Sequence, residues 1–450
     1  MSAAFNPSRR RLLLGASAVT ALSACGGGGD APAPTDGPIR SFSADRAKYF
    51  VGERARLTAI FAGTGRIEPG IGPVMSGVPV STPALDSSAR LRLVVDTAAG
   101  PVTRELVLPV DFRNRYQTLA QTLAVSYHAS VTAGDGSVLV LGGLRGVNAP
   151  TDEVNRFDPV TGTLARIGAL RTGRYDHTAT RLQDGRILVA GGGQGVQIGV
   201  VADLIDERTG AVSSGGTMNI PRYWHAEALL PDGRVLLAGG RNRLQAEYWD
   251  PDTNLWRLVE QPLVHTREWP TATVLADGRV LIAGGATAAA GYRFAELFDP
   301  RTNRFAPVDA PGLEQRIYHT AHRLADGSVL ILGGQVVNSA TRAGPLRDVL
   351  RFDPATDRIS AVSPLATARL LARSVVLPDD RVLLFGGQIE PDRHTESGEA
   401  YSTAAGGTPI VPAAQTRAWH SAHRLQDGRV LLFGGEDVNG EYATLMQIFE

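Results

Sequence analysis

Seven Gly-Gly pairs, each closing a short apolar run, set the ground plan of this chain. They stand at Gly142-Gly143, Gly191-Gly192, Gly239-Gly240, Gly284-Gly285, Gly333-Gly334, Gly386-Gly387 and Gly434-Gly435. Successive pairs lie 49, 48, 45, 49, 53 and 48 residues apart. That period suits four short strands, one propeller blade, and exceeds the period of helical repeats. The same order of signals recurs around each pair. In the third unit a strand opens at His225 and runs to Leu230, Asp232-Gly233 follows, and a second strand from Arg234 to Ala238 reaches the glycines. Asp-Gly between two apolar runs predicts a hairpin whose two central residues both accept positive φ. The glycine pair leaves room for a close backbone approach or a bend. A third strand such as Glu247 to Asp250, an Asp-Pro-x-Thr turn (at Asp158, Asp250, Asp299 and Asp353) and a short fourth strand complete the unit.

Composition excludes several classes of partner. The 450 residues carry 45 Lys+Arg and 45 Asp+Glu, so no basic footprint for nucleic acid or an anionic membrane surface exists. The single cysteine, Cys25, excludes an internal disulfide and a cysteine metal cluster. Its surroundings give it another role. Ser8-Arg9-Arg10-Arg11-Leu12-Leu13 leads into an apolar stretch ending at Leu22, too short to span a bilayer, and then Leu22-Ser23-Ala24-Cys25. Residues 1–24 therefore read as a signal peptide whose twin arginine resembles a Tat signal and whose end resembles the lipobox of bacterial lipoproteins. That resemblance implies acylation of Cys25, a Gly/Pro tether over 25–38 and, with no Asp after Cys25, an outer-membrane address.

Residues 39–111 alternate in the strand manner over Ile39 to Phe42, Ala55 to Phe61, Ala89 to Val95 and Thr103 to Val110, with turn residues between. The order resembles the Ig-like β-sandwich modules of exported bacterial proteins, which act as spacers or docking surfaces. From Phe112 onward, the recurring Arg, His, Asp-Gly, Gly-Gly and late-strand aromatic resemble the kelch repeat. The Leu-x-Asp-Gly-Arg-Val form resembles the propeller of galactose oxidase. The expected fold is thus all-β: a small N-terminal Ig-like sandwich followed by a seven-bladed kelch-type β-propeller over 112–450. Gln447 to Glu450 aligns with a third strand, so Phe112 to Leu119 is expected to complete the last blade and close the ring.

Three rings of residues fall on the variable-loop face. Arginines precede the histidine position by three residues: Arg174, Arg222, Arg267, Arg316, Arg369 and Arg417, with Val125 in the first blade. The histidines are His128, His177, His225, His319 and His420, with Pro270 and Ala372 in the remaining blades. Immediately before them stand Tyr127, Asp176, Trp224, Trp269, Tyr318, Leu371 and Trp419. Asp203, Glu247, Glu296 and Glu399 are placed to hold four of the arginines as structural ion pairs. Arg316 and Arg417 have Leu350 and Gln447 at that place, which leaves them available to a ligand carboxylate. The expected ligand site is Arg316, Tyr318, His319, Arg417, Trp419 and His420 at the channel mouth, with Trp224 and Trp269 in the same aromatic ring, suited to a sugar. Packing between blades is the alternative role of that ring.

Two functions follow. The first is a non-catalytic binding module at the cell envelope, monomeric and without cofactor or metal, taking a glycan or another envelope protein and reaching the membrane through its lipid anchor. The second is a carbohydrate-active enzyme on the same face. Tyr318-His319 resembles the adjacent Tyr-His copper ligands of galactose oxidase, but the cysteine that family cross-links to a tyrosine has no counterpart here. A sialic acid epimerase-like reading recruits Asp176, Glu227 or Glu268 beside Arg316. No phosphate-binding glycine loop, His-Glu-x-x-His or calcium loop is present.

Overall fold

The computed structural model describes residues 37–146, 149–194, 197–287, 295–337 and 342–450. The expected signal segment, Cys25 and most of the expected tether lie outside them. Every element of the described chain is β-strand, and seven four-stranded antiparallel sheets form the body. Their second strands, from Val138–Leu141 in blade 1 to Val430–Phe433 in blade 7, are runs of buried apolar residues, with the half-buried Arg186 at the start of blade 2's strand as the one charged position. A strand that alternates would have one wet face; these have none. In blade 1, Val138 and Val140 pack toward blade 7, whereas Leu139 and Leu141 pack toward blade 2. The same division gives one hydrophobic core between each pair of neighbouring blades, seven in all among the described residues.

The glycine pairs sit where blades meet. A Cβ on Gly191 would lie 2.6 Å from the carbonyl oxygen of Arg222 in the next blade and as close to the His225 ring, so no side chain fits. The second glycine donates its N–H to the same carbonyl, as in Gly192 to Arg222 O at 2.9 Å. This arrangement repeats around the ring, with Val125 accepting from Gly435 to join blade 7 to blade 1.

Closure follows the expectation with a shift of register. The strand that completes blade 7 is Tyr116–Thr122, paired antiparallel with Leu445–Phe449, four residues later than Phe112. Phe112 instead stacks on Phe449 at 5.3 Å between centroids. The Asp-Gly turns also differ from expectation. Only the glycine takes positive φ (Gly136 86°, Gly185 86°), and Ala133 N–H bonds Ser137 O across three loop residues, so the hairpin is a type I turn closed by a left-handed glycine. The Asp carboxylates cap these turns instead, as Asp184 does for the Arg186 N–H at 2.9 Å. The Asp-Pro turns do the same, with Asp250 accepting from Asp252 N at 2.9 Å.

Residues 37–111 form three small sheets, of four, three and two strands, around a single core containing Tyr49, Leu57, Ile67, Leu93 and Val95. This module rests on the propeller through ion pairs of Asp86 with Arg424 and of Glu53 with Arg113.

Candidate functional site

The innermost strands of the blades line a central channel, and the residue before each histidine position crowns it. Tyr127, Asp176, Trp224, Trp269, Tyr318, Leu371 and Trp419 all have left-handed backbone, with φ between 52° and 59°. This conformation costs a non-glycine residue about 1–2 kcal/mol. Its recurrence in all seven blades shows that the fold imposes it. All seven side chains line one cavity of about 220 Å³. Trp224 and Trp269 stack at 3.9 Å, Trp269 meets Tyr318 at 5.0 Å, Tyr318 meets Trp419 edge-on at 5.2 Å, and Trp419 meets Tyr127 at 4.7 Å. Asp176 closes the remaining gap by accepting the Trp224 indole N–H at 2.8 Å. The result is an aromatic collar at the channel mouth.

The structure brings Trp224, Trp269, Tyr318, His319 and Trp419 to this cavity and leaves Arg316, Arg417 and His420 off its lining. The expected carboxylate receptor is thereby corrected. Arg316 is buried and points into its own blade, donating to Gly333 O and Asp348 O at 3.2 Å each. Its acid comes from a loop: the Asp348 carboxylate lies 3.7 Å away. Arg417 is equally buried and donates to Gln447 Oε1 at 3.1 Å and Leu445 O at 3.2 Å. Burial without an acid pushes its guanidinium down to about 10. Four sister arginines have the acids the sequence assigned. Arg174 pairs with Asp203 at 3.1 Å, Arg222 with Glu247 at 2.9 Å, Arg267 with Glu296 at 2.7 Å and Arg369 with Glu399 at 3.0 Å. Among the described residues the acid nearest Arg316 is Asp348, and none of Asp176, Glu227 and Glu268 forms an ion pair with it.

The histidines hold blade to blade. Each packs on the first glycine of the preceding blade's pair, and its Nε2 shares a hydrogen bond with a hydroxyl on that blade's inner strand where one exists. These bonds are His128 with Ser421 (2.8 Å), His225 with Thr178 (2.9 Å) and His319 with Thr271 (3.0 Å). His177 faces Ala129 and His420 faces Arg373, so neither has a hydroxyl to meet. Burial holds His128, His225 and His319 down to about 3, and they are neutral at any ordinary pH. Two carboxyls in the channel move the opposite way. Burial pushes Asp176 up to about 6 and Glu227 up to about 7.

Outside the collar, on the same face, a groove of about 480 Å³ runs along blades 3 to 5. Trp224 and Trp269 form one wall, and Arg241, Asn242 and Glu268 supply polar groups. The Arg241 guanidinium lies 5.7 Å from the Trp224 ring centre and donates to the Tyr223 hydroxyl. Burial raises the Glu268 carboxyl, with Arg241 opposing that rise. Arg241, Asn242 and Arg373 escaped the sequence reading. Arg373 had a signal: the column after the histidine position is otherwise Ala, Ser or Thr.

The Tyr318-His319 pair does not fit a copper centre. The Tyr318 ring packs between Trp269 and Trp419, and His319 is engaged by Thr271 and by the next-to-hand glycine Gly284. Among the described residues no three His, Cys, Asp or Glu side chains converge as metal ligands.

No protein-family model matches the sequence, and no curated protein matches it. Among solved structures, the chain is similar to a fungal alcohol oxidase of the AA5 family, solved in complex with copper and described as catalytically diverse. The TM-score is 0.62 at 15% identity, over 74% of this chain and 76% of that one. What the likeness shows is the fold: a galactose oxidase-like kelch propeller.

Proposed function

We propose that the chain is a binding module of the cell envelope that takes a carbohydrate in the groove beside the collar. The carrying observation is the stacked Trp224–Trp269 pair, flanked by the Arg241 donor and the Glu268 acceptor. An indole face covers the apolar C–H face of a sugar ring while a cation and a carboxylate address its hydroxyls. In this reading residues 1–24 export the chain, Cys25 carries the lipid, 25–38 form the tether and 39–111 act as an Ig-like spacer. The test is a glycan array probed with the purified chain, repeated with Arg241→Ala and Glu268→Gln. Retention of a glycan class by the wild type and its loss in both variants is expected. Equal retention by all three, or none by the wild type, overturns the reading. Cys25→Ala is expected to leave the membrane fraction, and continued membrane retention of that variant refutes the anchor.

A second reading has its own observation. Asp176 and Glu227, raised to about 6 and 7, are carboxyls able to hold or release a proton near neutral pH inside a channel. An acid–base enzyme acting on a sugar would lose turnover in Glu227→Gln. A glycan that binds and is recovered unchanged argues for the module.

A further inference from the structure

Blade 6 departs from its sisters at three consecutive positions of the channel wall. Leu371 stands in the collar where the others carry an aromatic ring or Asp176, and Ala372 stands where they carry His or Pro270. Arg373 follows, where the others carry Ala129, Thr178, Ala226, Thr271, Thr320 and Ser421.

The three changes act together. With Ala372 in place of an imidazole, no ring covers Gly333, and the Thr320 hydroxyl that would meet it has no partner among the described residues. On the other side Arg373 takes the place of the hydroxyl opposite His420, whose ring nitrogens also have no partner among the described residues. Arg373 Nε donates to the His420 carbonyl oxygen at 2.8 Å. That contact anchors the guanidinium at one corner. Its two terminal amino groups make no hydrogen bond or ion pair with any described residue.

The head group is also placed to meet a ligand. Arg373 lines both the collar cavity of about 220 Å³ and a second chamber of about 300 Å³ deeper in the channel, and it meets water there although protein surrounds it. Asp176 is the acid whose field reaches it, but Asp176 is engaged with Trp224. The channel histidines around it are neutral, and burial favours the uncharged forms of Asp176 and Glu227, which lessens their repulsion of an anion. A guanidinium always carries its charge and presents parallel N–H groups that match an oxyanion.

We propose that Arg373 anchors an oxyanion site inside the channel, beneath the aromatic collar, that takes the carboxylate or phosphate group of a small molecule. The site is separate from the outer groove, from which the Trp224–Trp269 pair divides it, and neither reading depends on the other.

The test is calorimetric titration of the purified full-length chain with acetate, inorganic phosphate and glucuronate at fixed ionic strength, with glucose as the neutral control. Melting temperature is followed in parallel. Acetate with glucuronate, or phosphate, is expected to bind and raise the melting temperature while glucose does not, and the responding probe identifies the group. Arg373→Gln is expected to bind at least about tenfold more weakly. Arg373→Lys, which keeps the charge and loses the fork, is expected to fold like the wild type and bind at least about fivefold more weakly. Should Arg373→Gln fail to fold, Arg373→Lys decides. Binding unchanged in the variant that folds, or a wild type that responds to no oxyanion, overturns the site.

Discussion

Arg222 and Arg316 occupy equivalent places in blades 3 and 5, yet truncation would strand different partners. Without Arg222 the buried Glu247 carboxylate keeps only Asn219, whose backbone N–H reaches it at 2.8 Å. Breaking a buried pair by removing one partner costs about 3–5 kcal/mol. Without Arg316 the main losses are bonds to Gly333 O and Asp348 O, since Asp348 itself is mostly in water. Leaving such acceptors unpaired costs about 1–3 kcal/mol. Urea denaturation of the two alanine variants is expected to show both destabilised, Arg222→Ala more so. A melting temperature unmoved by Arg316→Ala would return that residue to the ligand. The sequence could show the four acids because they share a column of the repeat. It could not show Asp348, which comes from a loop outside the column, nor that the Arg417 head is buried against Gln447.

At the scale of the strand, the ring is completed by Tyr116–Thr122, the outermost strand of blade 7. A chain beginning at Phe112 keeps that strand and the Phe112–Phe449 stack, whereas one beginning at Leu123 leaves Leu445–Phe449 as a bare edge. The first is expected to be monodisperse on size exclusion and the second to aggregate; equal behaviour would mean that another element closes the ring. Blade number, strand order and closure were legible because the Gly-Gly pairs and Asp turns repeat in fixed register. The collar was legible as a column but not as a conformation. Nothing about Tyr, Trp or Leu announces positive φ, and only the packing of seven blades around one axis enforces it. The Asp-Gly turns misled for a related reason: the dipeptide signals a hairpin, while loop length decides which of its residues turns left-handed.

Over the whole molecule, burial of histidine dominates the response to acid. Eight of the nine histidines are held below their ordinary range by burial: His128, His225 and His319 to about 3, His322 and His423 to about 4, and His177, His265 and His420 in the same direction. Unfolding frees each to bind a proton below about 6.5, so each but the partly exposed His265 removes about 1.4 kcal/mol per pH unit as pH falls through that window. Asp176 and Glu227, and in the same direction Glu268, act in the opposite sense, favouring the folded state as pH drops from about 7 toward 4, but they are three against eight. Melting temperature is therefore expected to change little from pH 8 to 6.5 and fall steeply below 6; a rise down to pH 5 would contradict the burial of the ring. The placement of the seam has a mechanical side as well. Arg115 and Glu450 exchange backbone hydrogen bonds where the closing strand begins, and the module before it is braced on blade 7 through Asp86 and Arg424. Tension applied ahead of Pro38 first meets that brace and then pulls the closing strand along its own axis. Its hydrogen bonds with Leu445–Phe449 then bear that load together in shear instead of parting one at a time.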